Sequence, residues 1–197
     1  MMIKWWRAVC LAGLLLMLTA CASVNSLDKP DVPEEIQLLD TASGRVLYLG
    51  MKKNEIRANK LVKIEKEQDL SDSWESYQYE GVDLIFQDGE LIMMHVPDTS
   101  KKGRFTTKGV GIGNDESEII ANYGNQPLHN PIYNTYEYIL FRQENGLYYL
   151  KSLDELKQQD QDKLLCMLSF NLNEEGAVRS FNLIGEGYLN PNSYSSE

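Results

Sequence analysis

LGMKKNEI (residues 49–56) and IGNDESEI (residues 112–119) decide the fold prediction, because the two stretches share one pattern. In each, an aliphatic residue and a glycine are followed, at the same spacing, by Glu-Ile. A pattern that returns within one chain indicates a repeated structural unit. The sequence therefore predicts two tandem copies of one unit.

Segments rich in aromatic residues, with alternating apolar and polar positions, follow both stretches, as half-buried strands require. Asp88-Gly89 separates two of them, and this dipeptide is a strong hairpin signal because glycine accepts the positive φ of a tight turn. The predicted strands are residues 76–80, 82–87 and 90–96 in the first half, and 134–142, 163–172 and 177–184 in the second.

A short helix is predicted to begin each unit. In the second unit Asp115 can cap the helix, Glu118 completes a capping box, and Gly124 can end it. In the first unit Met51, Ile56 and Leu61 are apolar, although two lysines lie unfavourably at the positive N-terminal end of the predicted helix. The predicted fold class is α+β: two tandem units, each a short helix packed on an antiparallel β-sheet.

Residues 111–124 (GIGNDESEIIANYG), followed by Pro127, resemble a motif of the β-lactamase-inhibitor-protein-like family. Residues 168–178, with Phe181, resemble the final hairpin of that family. The small lipoprotein subunit of the outer-membrane β-barrel assembly machinery shares this architecture. The resemblance implies tandem helix-on-sheet repeats in a protein that binds other proteins, as an inhibitor or an assembly subunit.

The N-terminal residues are typical of an export signal. Lys4 and Arg7 precede residues 8–20, an uncharged apolar stretch too short to cross a hydrocarbon core of about 30 Å. The end of this stretch, LTAC at 18–21, resembles a bacterial lipobox. In lipoproteins with this motif the signal is removed and the cysteine is acylated. Cys21 is therefore the predicted lipidation site, which would anchor the chain to a bacterial membrane outside the cytoplasm.

These patterns give a domain organisation for the whole chain. The predicted segments are a lipoprotein signal peptide (1–20), the lipidated cysteine with a flexible tether (21–43), a first α+β repeat (44–100), a second repeat (101–189) with an insertion at 143–162, and a polar tail (190–197).

Composition excludes several classes of protein. The formal net charge of −10 disfavours nucleic acid, because phosphate binding needs a positive surface. Three cysteines are too few for a disulfide scaffold. Cys10 lies in the signal and Cys21 is predicted to carry lipid. Cys166 lies on an apolar strand face without a basic neighbour, so we expect a buried, inert thiol.

The sequence contains no recognisable catalytic or metal-binding motif. His95 and His129 have no metal or triad spacing. The glycines of 109–113 match neither phosphate-loop template. The carboxylates of 65–75 and the four basic residues of 101–108 are predicted to lie in solvated loops. We therefore expect no enzyme, no cofactor and no metal.

Aromatic residues are the remaining candidates for a functional site. Tyrosine suits a half-exposed sheet face without any ligand, but tyrosine and tryptophan on an open sheet are also good protein-binding anchors. Both interpretations are open at this point. The candidate protein-binding residues are Trp74, Tyr77, Tyr79, Tyr136, Tyr138, Tyr148 and Tyr149.

These observations predict a membrane-anchored, extracytoplasmic lipoprotein that binds a protein or another envelope component without catalysis. The alternatives are a cell-envelope hydrolase, which needs titratable groups converging on one point, and a small-ligand sensor, which needs an enclosed apolar cavity.

Overall fold

The structure is a computed structural model, and its elements lie in one unit that begins at Val32. The predicted signal peptide, Cys21 and most of the insertion are outside the residues that it describes. The described residues are 31–64, 74–124, 127–144, 146–150 and 164–189.

Thirteen β-strands make up most of the described chain. In chain order they are β1 (Gln37–Asp40), β2 (Arg45–Tyr48), β3 (Leu61–Lys63), β4 (Trp74–Tyr79), β5 (Val82–Gln87), β6 (Glu90–Val96), β7 (Phe105–Thr107), β8 (Val110–Gly111), β9 (Leu128–Asn130), β10 (Thr135–Gln143), β11 (Gly146–Tyr149), β12 (Leu164–Leu172) and β13 (Val178–Gly185).

The strands form two antiparallel sheets. The large sheet has nine strands in the order β11-β10-β12-β13-β6-β5-β4-β3, and β9 pairs with β10 beside β11. The small sheet has the order β2-β1-β7-β8. Two α-helices, α1 (Glu116–Tyr123) and α2 (Glu186–Leu189), and three short 3₁₀ turns complete the described elements.

The predicted fold class is wrong. The structure is mostly β, with 53% strand and a single helix of seven or more residues, rather than two helix-on-sheet units. Only the second predicted helix forms, as α1. The Asp115 carboxylate accepts from the Glu118 N–H (3.0 Å), and the Asp115 N–H donates to Glu118 (2.9 Å).

The first predicted helix is replaced by two 3₁₀ turns, Lys53–Glu55 and Ala58–Lys60, which lead into β3. Ile56 ends the first turn with an extended backbone (φ −86°, ψ 132°), so the turn does not propagate. The lysines at its start oppose the helix dipole, and the short segment lacks the apolar stripe that stabilises helices by packing.

The two matching stretches make the same backbone hydrogen bonds. Gly50 N–H donates to Leu91 and Leu91 N–H donates back to Met51 (2.8 and 2.9 Å); Gly113 N–H donates to Val178 and Val178 N–H donates back to Asn114 (both 2.8 Å). Gly50 and Gly113 have φ of 87° and 89°, values that residues other than glycine rarely adopt. The shared sequence pattern thus corresponds to one way of joining a loop to a strand.

Strands from both predicted repeats share both sheets. The boundary predicted after residue 100 lies between β6 and β7, yet β6 pairs with β13 in the large sheet and β7 pairs with β1 in the small one. The folded part also begins earlier than residue 44, within the segment predicted to be a tether. Ile36 and Leu38 are buried, and β1 begins at Gln37.

The main core brings together apolar side chains from both sheets and α1. It includes Leu38 and Phe105 of the small sheet, Ile119 of α1, and Leu84 and Phe170 of the large sheet. A second cluster, centred on Ile139, Phe141 and Leu150, is separate from it. The predicted insertion begins as the β10–β11 hairpin beside this cluster.

Candidate protein-binding surface

The structure divides the seven predicted binding residues between core and surface. Trp74, Tyr79 and Tyr138 are only 2–3% exposed. The Trp74 ring packs on Tyr188 of α2 with a centroid distance of 5.1 Å. Side chains buried within the fold cannot contact a partner. The prediction that these three residues bind a protein is therefore wrong, and they belong to the interior of the fold. Tyr138 also donates its hydroxyl to the Gly124 carbonyl (3.1 Å), at the end of α1.

Tyr77 and Tyr149 are half-buried, and each lies next to an internal ion pair. The Lys53 ammonium lies 2.5 Å from the Glu75 carboxylate and 5.1 Å from the Tyr77 ring centroid. Tyr149 donates to the Glu35 carboxylate (2.8 Å). Tyr148 is half-buried against the second apolar cluster. These contacts stabilise the fold. Of the seven predicted residues, Tyr136 is the one that we assign to a candidate binding surface.

The Tyr136 ring lies on the core-facing side of β10, next to the exposed residues Glu116 and His129. Its hydroxyl donates to the Glu116 carboxylate at the start of α1. The His129 ring packs edge-on against it, with centroids 5.1 Å apart and planes at 89°. Burial and then the Glu116 contact raise the pKa of Tyr136 to about 12. The phenol therefore stays protonated at neutral pH and acts as a donor.

The hairpin between β9 and β10 exposes two neighbouring apolar side chains that the sequence analysis missed. Ile132 is 83% exposed and Tyr133 is 68% exposed. The turn is fixed at both ends: the Ile132 N–H donates to the Asn130 side chain (3.1 Å), and the Asn134 amide donates to the Asn173 carbonyl (3.1 Å). The two side chains are thus held out on an ordered turn.

A sequence signal for this turn exists. Asn130-Pro131 and Asn134 are turn residues, and they enclose an isoleucine and a tyrosine where turns are ordinarily polar. Tyr133 lies directly before the predicted strand 134–142 and is not one of the predicted binding residues.

Two exposed carboxylates lie on the turn next to the exposed pair. The β12–β13 turn lies alongside, because the Leu172 N–H donates to the Asn134 carbonyl (2.9 Å). This turn carries Glu174 and Glu175, both exposed, and the Asn173 side chain fixes it by accepting from the Glu175 N–H (3.0 Å). We call this region the tip surface; its members are Ile132, Tyr133, Tyr136, Glu116, Glu174 and Glu175.

A partly buried ion cluster, on the same face of β10 as Tyr136 and Tyr138, was not predicted from sequence. The Lys108 ammonium lies 2.8 Å from the Glu35 carboxylate and 5.4 Å from the Tyr123 ring centroid. Burial raises the pKa of Glu35, but hydrogen bonds from Lys108, its own backbone N–H and Tyr149 outweigh burial and lower the pKa overall. Glu35 therefore ties the start of the fold to the β7–β8 turn.

The prediction of a solvated basic loop at 101–108 is also partly wrong, because residues 105–107 form β7. The Arg104 guanidinium binds the Glu80 carboxylate (2.9 Å) and lies 3.4 Å from that of buried Asp40. Two carboxylates thus meet at a guanidinium that occupies the space between them. This arrangement joins the two sheets electrostatically.

Reactive groups in the described residues are held by structural partners. Cys166 is buried as predicted, and burial raises the pKa of its thiol, which favours the unreactive protonated form. His95 Nδ1 lies 2.6 Å from the Asn182 side-chain oxygen on the neighbouring strand. Within the described ranges, no group of three or more His, Cys, Asp or Glu side chains is placed to hold a metal ion.

Comparisons with known proteins add little. No protein-family model matches the sequence, and no curated protein matches it. One similar solved structure is a cysteine-rich secretory protein from Staphylococcus aureus, with 15% identity over 76% of this chain and a TM-score of 0.39. The chain spans about half the length of that protein (51%). A TM-score this low does not define a shared fold.

No helix among the described residues has the length and apolar character needed to span a bilayer.

Proposed function

We propose that this chain is a lipid-anchored, extracytoplasmic protein that binds a protein partner of the cell envelope and performs no catalysis. The observation that carries this proposal is the exposed pair Ile132 and Tyr133, held on an ordered turn within the tip surface. Their exposure brings no benefit to the fold itself, because neither side chain is buried.

Exposed apolar pairs on rigid turns have the properties of binding anchors. Tyrosine offers a large contact area at a low entropic cost, since only two side-chain torsions become fixed on binding. A turn fixed at both ends lowers this cost further, because its backbone is already ordered before the partner arrives. The acidic rim supplies orientation and discrimination between partners more than affinity.

The anchor part of the proposal rests on the sequence. The LTAC motif places acylation at Cys21, and the described fold begins about ten residues later, at Val32. A fully extended chain of this length spans about 40 Å at most. The folded unit would thus work close to the membrane that holds it.

The first test replaces the predicted acylated cysteine. Cys21→Ser in the full chain should move the protein out of the membrane fraction, because acyl chains supply the binding energy. Fractionation followed by immunoblotting measures this shift, and palmitate labelling should be lost in parallel. Retention of the variant in membranes, or continued labelling, would contradict the lipid anchor.

The second test addresses binding. Ile132→Ser with Tyr133→Ser should reduce recovery of cross-linked envelope protein at least tenfold, since central anchors carry about 2 kcal/mol or more. The matched control is Leu39→Ser, which changes a partly exposed apolar side chain on the small sheet. Equal recovery with both variants would remove the tip surface from the proposal. Equal melting temperatures would show that both variants are folded.

A further inference from the structure

A second exposed apolar surface lies at the opposite edge of the large sheet. Strand β3 is the last strand there, and no described strand pairs with its outer side. Val62 is 65% exposed and Ile64, directly after the strand, is 36% exposed. Exposed apolar edge strands are unusual in proteins that stay monomeric, because they offer unpaired backbone groups to another chain.

The segment that forms this edge carries cations, in a protein that is acidic overall, and Lys63 lies close enough to Glu75 to lower the pKa of that carboxyl. Residues 57–64 (RANKLVKI) contain three cations and no carboxylate. Arg57 and Lys63 are exposed, while Lys60 is paired with Glu80. We call this region the basic edge; its members are Arg57, Lys60, Val62, Lys63 and Ile64.

The basic edge and the tip surface are complementary. Each presents two apolar side chains; cations lie next to the first pair along the chain, and carboxylates lie on the turn next to the second pair. They also lie at opposite edges of the large sheet. Strand β3 forms one edge, and β9, which leads into the tip surface, lies at the other.

We infer that the basic edge of one copy of this chain binds the tip surface of a second copy. The contact is head-to-tail, because two basic edges or two tip surfaces brought together would face like charges. Such a heterologous contact leaves one surface of each type free, so it generates chains or closed rings of copies. The inference deepens the proposed function, since it uses the same tip surface and assigns its partner.

The test uses two tagged copies of the full lipidated chain, co-expressed and solubilised in mild detergent. One variant reverses the edge (Arg57→Glu, Lys63→Glu) and the other reverses the tip (Glu174→Lys, Glu175→Lys). These side chains are exposed, so the changes leave the core intact. Co-purification of the two tags measures association.

Wild-type copies should co-purify. When each variant is paired with itself, recovery of the second tag should fall at least tenfold, since like charges now meet in the contact. The edge-reversed and tip-reversed variants expressed together should recover association, because their charges are again complementary. Raising the salt concentration to 0.5 M should weaken the wild-type pair, as screening requires. Recovery in the mixed pair also shows that both variants fold.

Three outcomes would overturn the inference. Wild-type copies that do not co-purify exclude self-association, and the proposed function then survives only if the tip variants of the earlier test still lose an envelope protein. Self-pairs that associate like wild type place the contact elsewhere. Loss in all three variant combinations, together with loss of binding of the edge-reversed chain to anionic phosphatidylglycerol vesicles, would assign the basic edge to the membrane surface.

Discussion

Gly111→Ala is expected to lower the free energy of unfolding by about 3 kcal/mol, the upper part of the range for overpacked sites. A Cβ at this position would lie 2.3 Å from the Phe105 carbonyl oxygen and 3.1 Å from Thr106 Cγ2. The nearest atom belongs to the backbone of the partner strand, so it cannot move unless β7 and β8 separate. Separation would withdraw Phe105 from the core.

Urea unfolding monitored by circular dichroism measures this effect. The matched control is Gly50→Ala, where φ is 87° and an added Cβ meets nothing within 4 Å. This control should lose about 1 kcal/mol, the cost of a left-handed conformation for a residue with a side chain. If both variants lose the same amount, the close approach of β7 to β8 has no energetic importance.

Stability should fall as the pH drops from about 5 towards 3, and Glu35 is one of the carboxyl groups responsible. Its pKa is lower in the folded chain than the usual value, so the unfolded chain binds protons more readily in this range. The stabilisation is complete above the unfolded pKa and is lost as the pH falls through the folded pKa. Glu35→Gln should cost about 2 kcal/mol at pH 7 and flatten this pH dependence.

Lys108→Met tests the same cluster from the cationic side. Without the ammonium, burial of the Glu35 carboxylate is no longer outweighed, and its pKa should rise. The loss of stability should therefore be larger at pH 7, where the carboxylate must be charged, than at pH 4. Urea midpoints across pH 3–8 measure both variants. An unchanged profile in Glu35→Gln would refute the assignment.

Local signals explain what could be predicted from sequence. Asp88-Gly89 joins β5 to β6 as predicted, and both residues have positive φ (51° and 79°). Helix α1 begins after Asp115 and ends before Gly124 as predicted. In each case the determining residues lie within a few positions of one another.

Distant partners explain what could not be predicted. The basic residues of 101–108 read as a solvated loop because their carboxylates are far away in sequence: Arg104 binds Asp40, 64 residues earlier, and Lys108 binds Glu35, 73 residues earlier. The small sheet was missed for the same reason, since β1 and β7 pair across a similar separation. Short strands of three or four residues carry little periodicity of their own.

The candidate site was predicted only in part. Tyrosine at alternating strand positions fits both a core and a binding face, and burial decides between them only after the second layer is known. Tyr136 belongs to the tip surface, whereas Tyr79 and Tyr138 are covered by the rest of the fold. Ile132 and Tyr133 lie in a turn, where alternation gives no information.

The central position of β13 has a consequence for biosynthesis. Among the described strands this one is the last to be synthesised, yet it lies between β12 and β6 in the middle of the large sheet. Until the ribosome has delivered residues 178–185, the β6 edge has no neighbour, and the early strands cannot close into their final arrangement. A prematurely terminated chain would therefore expose an adhesive edge rather than retain half of the fold.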